Sequence, residues 1–284
     1  MKPQAFAYRR PQTLDQALAD LAEGGEDAKV LSGGQSLLPM MNFRLARPSM
    51  LVDISRIEAL TGISVTQDEV RIGATTRHID VEHCTVPGPT GSLLRVAARN
   101  VGHLPIRTRG TFGGSIAHSD PSSEWCMLAM LLDARMTIAG PSGIREVPSD
   151  DFFVTVFTTA VEYDEILVAV TLPLLAGSYR VRVEEFARRA GDFAIVGIMT
   201  AYEVVDGVIG QARLVAGGVA DRAIRLRGAE RALVGQSCSP ETFALAAEVA
   251  RDEVDPAADL HGSSGYRKDL VRTLTRRALE RAEP

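Results

Sequence analysis

Cysteine is scarce in this chain of 284 residues: Cys84, Cys126 and Cys238 lie far apart and are odd in number. No CxxC pair occurs, which excludes a zinc ribbon or an iron–sulfur centre held by this chain. Packing as small hydrophobes is the role left to them. The histidines, His78, His83, His103, His118 and His261, form no HExxH pair, which argues against a protein-held catalytic metal. No stretch approaches the ~20 apolar residues that cross a bilayer. Met1 to Phe6 lacks the apolar core of a secretory leader, so the expected location is the cytoplasm. A formal net charge of -5 and the lack of a long basic run argue against a nucleic-acid surface. A G-x-G-x-x-G after a strand and a Walker lysine loop are both missing, which disfavours Rossmann and P-loop folds. Low-complexity segments are absent.

What remains is ordinary in bulk and particular in detail. Hydrophobic content of 45% and charged content of 24% fit a globular protein, and the length allows two or three domains. The particular feature is a pair of glycine bends. Leu31-Ser32-Gly33-Gly34-Gln35-Ser36-Leu37 follows a short apolar run and precedes a segment able to open a helix. Gly110-Thr111-Phe112-Gly113-Gly114-Ser115 repeats the type about 80 residues on. Glycine lets successive N–H groups turn toward one point and admits a phosphate closely. Ser32, Ser36, Thr111 and Ser115 add neutral donors. A diphosphate held this way needs no lysine, which suits a tightly kept dinucleotide rather than a hydrolysed NTP. Each bend alone is also readable as a simple turn.

The flanking sequence gives the organisation. Thr13-Leu14-Asp15-Gln16 reads as a capping box opening a helix with Leu14, Ala17, Leu18 and Leu21 on one face, stopped by Gly24-Gly25. Strands are expected at Val30-Leu31 and Leu51 to Ile54, a small βαβ-like unit. A second unit starts near Ile57, with a half-buried strand around Val70 and Ile72, a helix from about Arg77 to His83, a break at Pro87-Gly88-Pro89, and a helix ending near Asn100. Gly102 to Arg107 reads as extended. Asp120-Pro121 reads as a helix start continuing through Trp125, Leu128 and Leu132. Strands follow at Arg135 to Ala139 and Glu165 to Val170. Beyond Pro173 and Gly177, Ile198–Val205 and Val208–Val215 are strand-like and joined by the hairpin signal Asp206-Gly207. Helices are expected at about 222–234, 240–251 and 265–280, on one face of an antiparallel sheet.

Three stretches, SGGQSLLPMMNFRLARPSMLVDIS, IRTRGTFGGSIAHSDPSSE and RRAGDFAIVG, closely resemble the FAD-binding medium subunits of molybdenum-containing hydroxylases. That family includes carbon monoxide dehydrogenase and bacterial dehydrogenases of N-heterocyclic compounds, and xanthine dehydrogenase has the same module within one chain. The likeness runs nearly end to end, including His261-Gly262-Ser263 and Tyr266-Arg267. It implies an α+β fold: a two-subdomain FAD-binding module of the vanillyl-oxidase-like (PCMH) type at 1–56 and 57–176, then a C-terminal domain of antiparallel sheet plus helices at 177–284. It implies that Ser32, Gly33, Gly34, Gln35 and Ser36 hold the FAD diphosphate from one side, with Leu37 also at the cofactor, and Thr111, Gly113, Gly114 and Ser115 from the other. Val101 and Gly102 match cofactor-lining positions, Glu124 an acidic cofactor contact, and Leu167 an apolar position near adenine or flavin. Asp192 and Phe193 lie in the family's Gly-Asp-aromatic-Ala motif beside the isoalloxazine.

By the same resemblance, the molybdenum cofactor sits in a large partner subunit and the [2Fe–2S] clusters in a small one, in a dimer of heterotrimers. Electrons then pass through this chain's FAD to an external acceptor, and no catalytic acid or base is expected here. Relatives often have Tyr at Phe193, and some have a flavin-contacting lysine where Glu184 and Glu185 stand. The cysteine-rich insert of hydroxybenzoyl-coenzyme A relatives is missing. A self-contained flavin oxidase and a scaffold without cofactor are the competing readings. Glu124 also reads as a first-turn acid favoured by the helix dipole, and Asp120 as a cap. His118 reads as a phosphate or ribose contact or as a structural histidine. Arg107 and Arg109 read as charge compensation or as solvated surface.

Overall fold

The computed structural model describes residues 2–283, and their backbone divides among three main sheets and one short hairpin. Strands β1 (Ala7–Arg9), β2 (Ala28–Leu31) and β3 (Met50–Asp53) form a parallel sheet in the order β1–β3–β2. Helix α1 (Leu14–Gly24) supplies the crossover. The Thr13 hydroxyl accepts the Gln16 N–H, while the Gln16 side chain accepts from Gln12, one residue before the expected reciprocal partner. Gly25, at φ 62°, ends the helix in a conformation a side chain disfavours. Ala17 and Leu21 bury against this sheet. Helix α2 (Leu37–Asn42) follows the first glycine bend, and the chain then returns along β3.

The second sheet contains β4 (Ile63–Val65), β5 (Glu69–Gly73), β6 (Arg135–Gly140), β7 (Gly143–Pro148) and β10 (Ile166–Pro173), ordered β4–β5–β10–β6–β7 and antiparallel throughout. A small hairpin, β8 (Phe153–Thr155) and β9 (Thr158–Thr159), lies before β10. The register of β10 on β6 slips between Leu167 and Ala169, a bulge of the kind that re-aims a side chain beside a site. Helices α3 (His78–Glu82), α4 (Gly88–Asn100), α5 (Leu104–Arg107), α6 (Phe112–His118), α7 (Glu124–Leu131) and α8 (Ser149–Phe152) fill the long excursions.

Four expectations need correction here. Leu104–Arg107 is helical rather than extended, because Pro105 sits in the first turn, where its missing N–H has no partner to lose. The second glycine bend is the opening of α6, capped by Thr111, rather than a loop. The helix expected from Asp120 starts at Glu124, with Ser123 at its N-cap; Asp120 instead accepts the Ser122 N–H in a local turn at 2.8 Å. Pro87-Gly88-Pro89 is less a break than the start of α4.

The third sheet is antiparallel, ordered β11 (Tyr179–Phe186), β12 (Val196–Val205), β13 (Val208–Gly217) and β14 (Ile224–Arg225). Asp206 and Gly207 both have positive φ, 51° and 79°, as a tight primed turn requires. Helices α9 (Arg227–Leu233), α10 (Pro240–Glu253) and α11 (Ser264–Glu280) cover one face. The helix expected from Arg222 starts only at Arg227, because Ile224 and Arg225 pair with β13. The other face is not bare. Val181, Val183, Met199, Ala201 and Val215 share a core with α4 and α7 of the preceding unit. Helix α7 is therefore buried on every side, which explains its run of apolar residues without a polar face. Its N-terminus, Glu124, is delivered to the seam between the second and third sheets. Among the described residues, no helix is long and apolar enough to cross a membrane.

Candidate functional site

The two glycine bends touch. A Cβ on Gly33 would lie 2.5 Å from the Arg109 carbonyl oxygen and 2.6 Å from the Gly110 Cα, so only glycine admits this approach. The Ser32 and Thr111 hydroxyls are 2.8 Å apart and tie the bends together. Gly34, at φ 71°, turns the chain into α2.

The bends differ in one respect that composition did not reveal. In the second bend the N–H groups of residues 112–115 are already satisfied. Phe112 donates to Thr76 O, Gly113 to Ala74 O, Ser115 to Thr111 O and Gly114 to the Thr111 hydroxyl. In the first bend, among the described residues, no protein group accepts the N–H of Gly33, Gly34, Gln35 or Ser36. Free donors are thus concentrated on one side, and the second bend backs them.

Both bends open on one cavity of about 810 Å³. Its wall contains Ser32, Gly33, Gly34, Gln35, Ser36 and Leu37 from the first bend, and Thr111, Gly113, Gly114 and Ser115 from the second. It also contains Val101 and Gly102 after α4, His118 at the end of α6, Glu124, Leu167 at the β10 bulge, and Asp192 and Phe193 from the third unit. The structure brings all of these sequence-derived candidates to one space. Gly191 (φ 82°) packs so closely on Gly102 and His103 that a Cβ would lie 2.4 Å from the His103 ring, and this seats the Asp192–Phe193 turn at the cavity edge. Phe193 is 63% exposed, a ring with one free face.

Electrostatics at the wall are unusual for an anion site. Lys29 is the only lysine or arginine among the described lining residues. Arg107 faces Glu82 at 2.8 Å and the Gly102 carbonyl, so it does not compensate charge in the cavity. Arg109 contributes its carbonyl, which accepts from Arg77. The His118 ring stacks on Phe157 at 4.7 Å, and burial lowers its pKa. Glu124 is only 6% exposed, and burial first, then the neighbouring Glu185 and Asp120, push its carboxyl well above the usual carboxylate range. Burial likewise raises Glu185, to about 7.

Sequence reading missed several wall residues. His78 is the most informative. Its Nδ1 accepts the Trp125 Nε1–H at 3.0 Å, which places the ring proton on Nε2. Burial, with Arg77 and Arg107 nearby, lowers its pKa to about 3. The signal was tertiary: nothing local links positions 78 and 125. Ile106 and the Glu162–Tyr163 turn also line the cavity without a sequence cue, whereas Gly191 stood inside a motif already in view. Among the described residues, no His, Cys, Asp and Glu cluster is arranged to hold a metal.

Comparison with known proteins places this architecture. The family described as FAD binding domain in molybdopterin dehydrogenase matches residues 4–175, and the CO dehydrogenase flavoprotein C-terminal domain matches 182–282. The 6-hydroxypseudooxynicotine dehydrogenase complex subunit alpha of Paenarthrobacter nicotinovorans is 37% identical, over 99% of this chain and 96% of that one. The carbon monoxide dehydrogenase medium chain of Hydrogenophaga pseudoflava is 34% identical, over 99% and 98%. Among solved structures, carbon monoxide dehydrogenase from Hydrogenophaga pseudoflava superposes with a TM-score of 0.96 at 36% identity, covering 99% of this chain and 98% of that one. Quinoline 2-oxidoreductase from Pseudomonas putida 86 gives 0.93 at 36% identity, with the same coverage. The chain belongs to the FAD-binding subunits of the molybdopterin dehydrogenases, the family of the carbon monoxide dehydrogenase medium chain.

Proposed function

We propose that this chain is the FAD-carrying, electron-transferring medium subunit of a heterotrimeric molybdenum hydroxylase, and that the cavity between the bends is its FAD site. The observation that carries the reading is the contact of Gly33 on Gly110, with the Ser32–Thr111 hydroxyl bond beside it. The residues fit the cofactor in three ways. The cavity volume suits a ligand of that size. The free N–H groups of residues 33–36 can receive a diphosphate with no lysine at the bend. Val101, Ile106 and Leu167 offer apolar wall to the rings.

In this reading the first bend binds the diphosphate and the second fixes the first. Leu167, turned by the bulge, and Phe193 bracket apolar parts of the cofactor and keep water off them. Asp192 and Glu124 present polar contacts from opposite sides of the seam. When bound there, FAD would supply the redox centre linking [2Fe–2S] clusters of a small partner subunit to an external acceptor. Oxidation of the organic substrate belongs to a large partner subunit with the molybdenum cofactor. The arrangement as a dimer of heterotrimers, the cytoplasmic location, the PCMH-type assignment, and a division at 1–56, 57–176 and 177–284 are parts of the same proposal. The division is supported by the separate sequence spans of the three main sheets. A self-contained oxidase lacks comparable support, since the similar proteins carry subunit or chain names.

The test is to purify the chain alone. It is expected to bind FAD non-covalently and to leave the organic substrate of the co-purifying complex untouched. Substrate turnover by the single chain, or a colourless protein after incubation with FAD, overturns the assignment.

A further inference from the structure

Two acids, Glu124 and Glu185, stand at the seam, and neither has a cation beside it among the described residues. Glu124 opens α7 and faces the cavity. Glu185 lies on β11, on the same face as Val181 and Val183, which pack toward α4 and α7. Glu185 pairs in register with Gly197. A Cβ at Gly197 would lie 2.7 Å from the Met127 methyl and 3.5 Å from the Glu185 Cγ. Glu185 therefore lies beside Gly197 and the end of the Met127 side chain of α7, and it does not line the cavity.

The surroundings give neither acid a counter-charge. The nearby arginines, Arg182 at 2.9 Å and Arg277 at 3.8 Å, both pair with Glu184, which alternation turns to the other face. Among the described residues, no basic group lies within 4.0 Å of the Glu124 or Glu185 carboxyl oxygens. The other facing groups are Asp120, which adds negative charge at Glu124, and the Asn100 amide at the end of α4, which favours charge on Glu185. The Glu185 Oε1 is buried with no hydrogen-bond partner. Glu124 is buried and Glu185 half-buried with its Oε1 out of water, and two such like charges with no cation beside them do not both ionise readily; one keeps a proton.

We propose that Glu124 and Glu185 together retain one proton at neutral pH, so that Glu124 meets the ligand of the cavity as a carboxylic acid, and that Glu185 is the positioning residue that keeps it so. The ligand part of this inference rests on the cavity being the FAD site. As an acid, Glu124 donates to a cofactor oxygen or nitrogen and adds no second negative charge beside the diphosphate. The directions of both pKa shifts agree with this.

Two measurements on the full chain test it. Infrared spectra of the ligand-free protein near pH 7 are expected to show a carboxylic-acid C=O band that the E124Q/E185Q double variant lacks; no excess band in the wild type overturns the proposal whether or not FAD binds. FAD titrations across pH 6–9 are expected to weaken on the alkaline side as Glu124 ionises. In E185Q that alkaline limb moves to lower pH, because Glu124 loses its like-charged neighbour. In E124Q, which keeps a neutral donor, binding persists and the limb disappears. Superimposable profiles for wild type and E185Q, or failure of E124Q to bind FAD where wild type does, overturn it. Failure of the wild type to bind FAD at any pH overturns the site assignment instead, and leaves the infrared result to judge the shared proton.

Discussion

Replacing Gly33 by alanine tests the contact on which the site depends. The new methyl would stand 2.5 Å from the Arg109 carbonyl oxygen, 2.6 Å from the Gly110 Cα and 3.0 Å from the Gly110 carbonyl carbon. All three are backbone atoms, so no side chain can swing aside. Reaching ordinary contact near 3.4 Å requires the bends to part by roughly 0.9 Å, and such overpacking costs about 1–3 kcal/mol of fold stability. The Ser32–Thr111 bond, now 2.8 Å, stretches past hydrogen-bonding range with it. Binding suffers more than stability. If two of the N–H groups aimed at a diphosphate lose alignment, at about 1.5–3 kcal/mol for each bond to a charged group, FAD affinity falls by about 3–6 kcal/mol, on the order of 10²–10⁴-fold. The assay is a fluorescence titration of the apo chain with FAD at fixed salt, beside a thermal melt. Gly177→Ala is the control, since a Cβ there meets nothing within 4 Å. An affinity for G33A within threefold of wild type, with the fold intact, would refute the convergence argument.

Other expectations follow from the same geometry. Trp125→Phe removes the donor to His78 Nδ1 in a buried site, so urea unfolding should show a loss of about 2 kcal/mol; a loss under about 0.5 kcal/mol would mean the bond contributes little. His78 stays neutral in the fold down to about pH 3, whereas the unfolded chain takes up its proton near 6.5. The unfolded state binds more protons between those values, so stability falls as pH drops through that window, by an upper bound of about 5 kcal/mol, and His78→Gln should flatten the urea-midpoint curve there. Arg267 is buried and donates to Ile195 O at 2.6 Å, Gly218 O at 2.8 Å and Asp259 at 2.7 Å. Arg267→Met should cost about 3–5 kcal/mol and loosen the adjacent Phe193 turn, read as a raised urea sensitivity together with brighter bound-flavin fluorescence. In hydrogen exchange, the N–H groups of residues 33–36 should exchange fast in the apo chain and slow on adding FAD, while those of 112–115 stay slow in both; equal protection of the two bends before FAD would contradict their described asymmetry.

Much of the site was legible because its chemistry is local. Gly33, Gly34 and Thr111 announce close approach and capping within a few residues of chain, and a resemblance then joins stretches 80 residues apart. Asp206-Gly207 gave its hairpin for the same reason: both φ requirements are met by the residues themselves. What was missed depends on what lies opposite. The three-residue β1 is held by β3, and β11 alternates apolar residues packed toward α4 and α7 with Arg180 and Arg182 on its more exposed face. The apolar character of α7 carries no period, since it is enclosed on all sides. His78 acquires its fixed tautomer and depressed pKa only when Trp125 arrives, and Glu185 becomes significant only when folding sets it against Glu124. Asp120 failed as a cap because Ser123 stands nearer the helical turn and Asp120 satisfies Ser122 instead.

The asymmetry of the bends also explains how the chain can hold its shape without the cofactor. A cleft with free N–H groups on both sides would leave twice as many donors unpaired and half-buried, each a liability when no ligand is present. Here the second bend spends its donors inside the protein, on Thr76, Ala74 and Thr111. Those bonds anchor α6 to the second sheet and make Gly110 a fixed surface for Gly33. The first bend can then keep its donors free, because its position is set by contact and not by its own hydrogen bonds. On the proposed reading, cofactor recognition is divided between a bend that binds and a bend that is already folded. Substitutions in the second bend should act on affinity only through the position of the first.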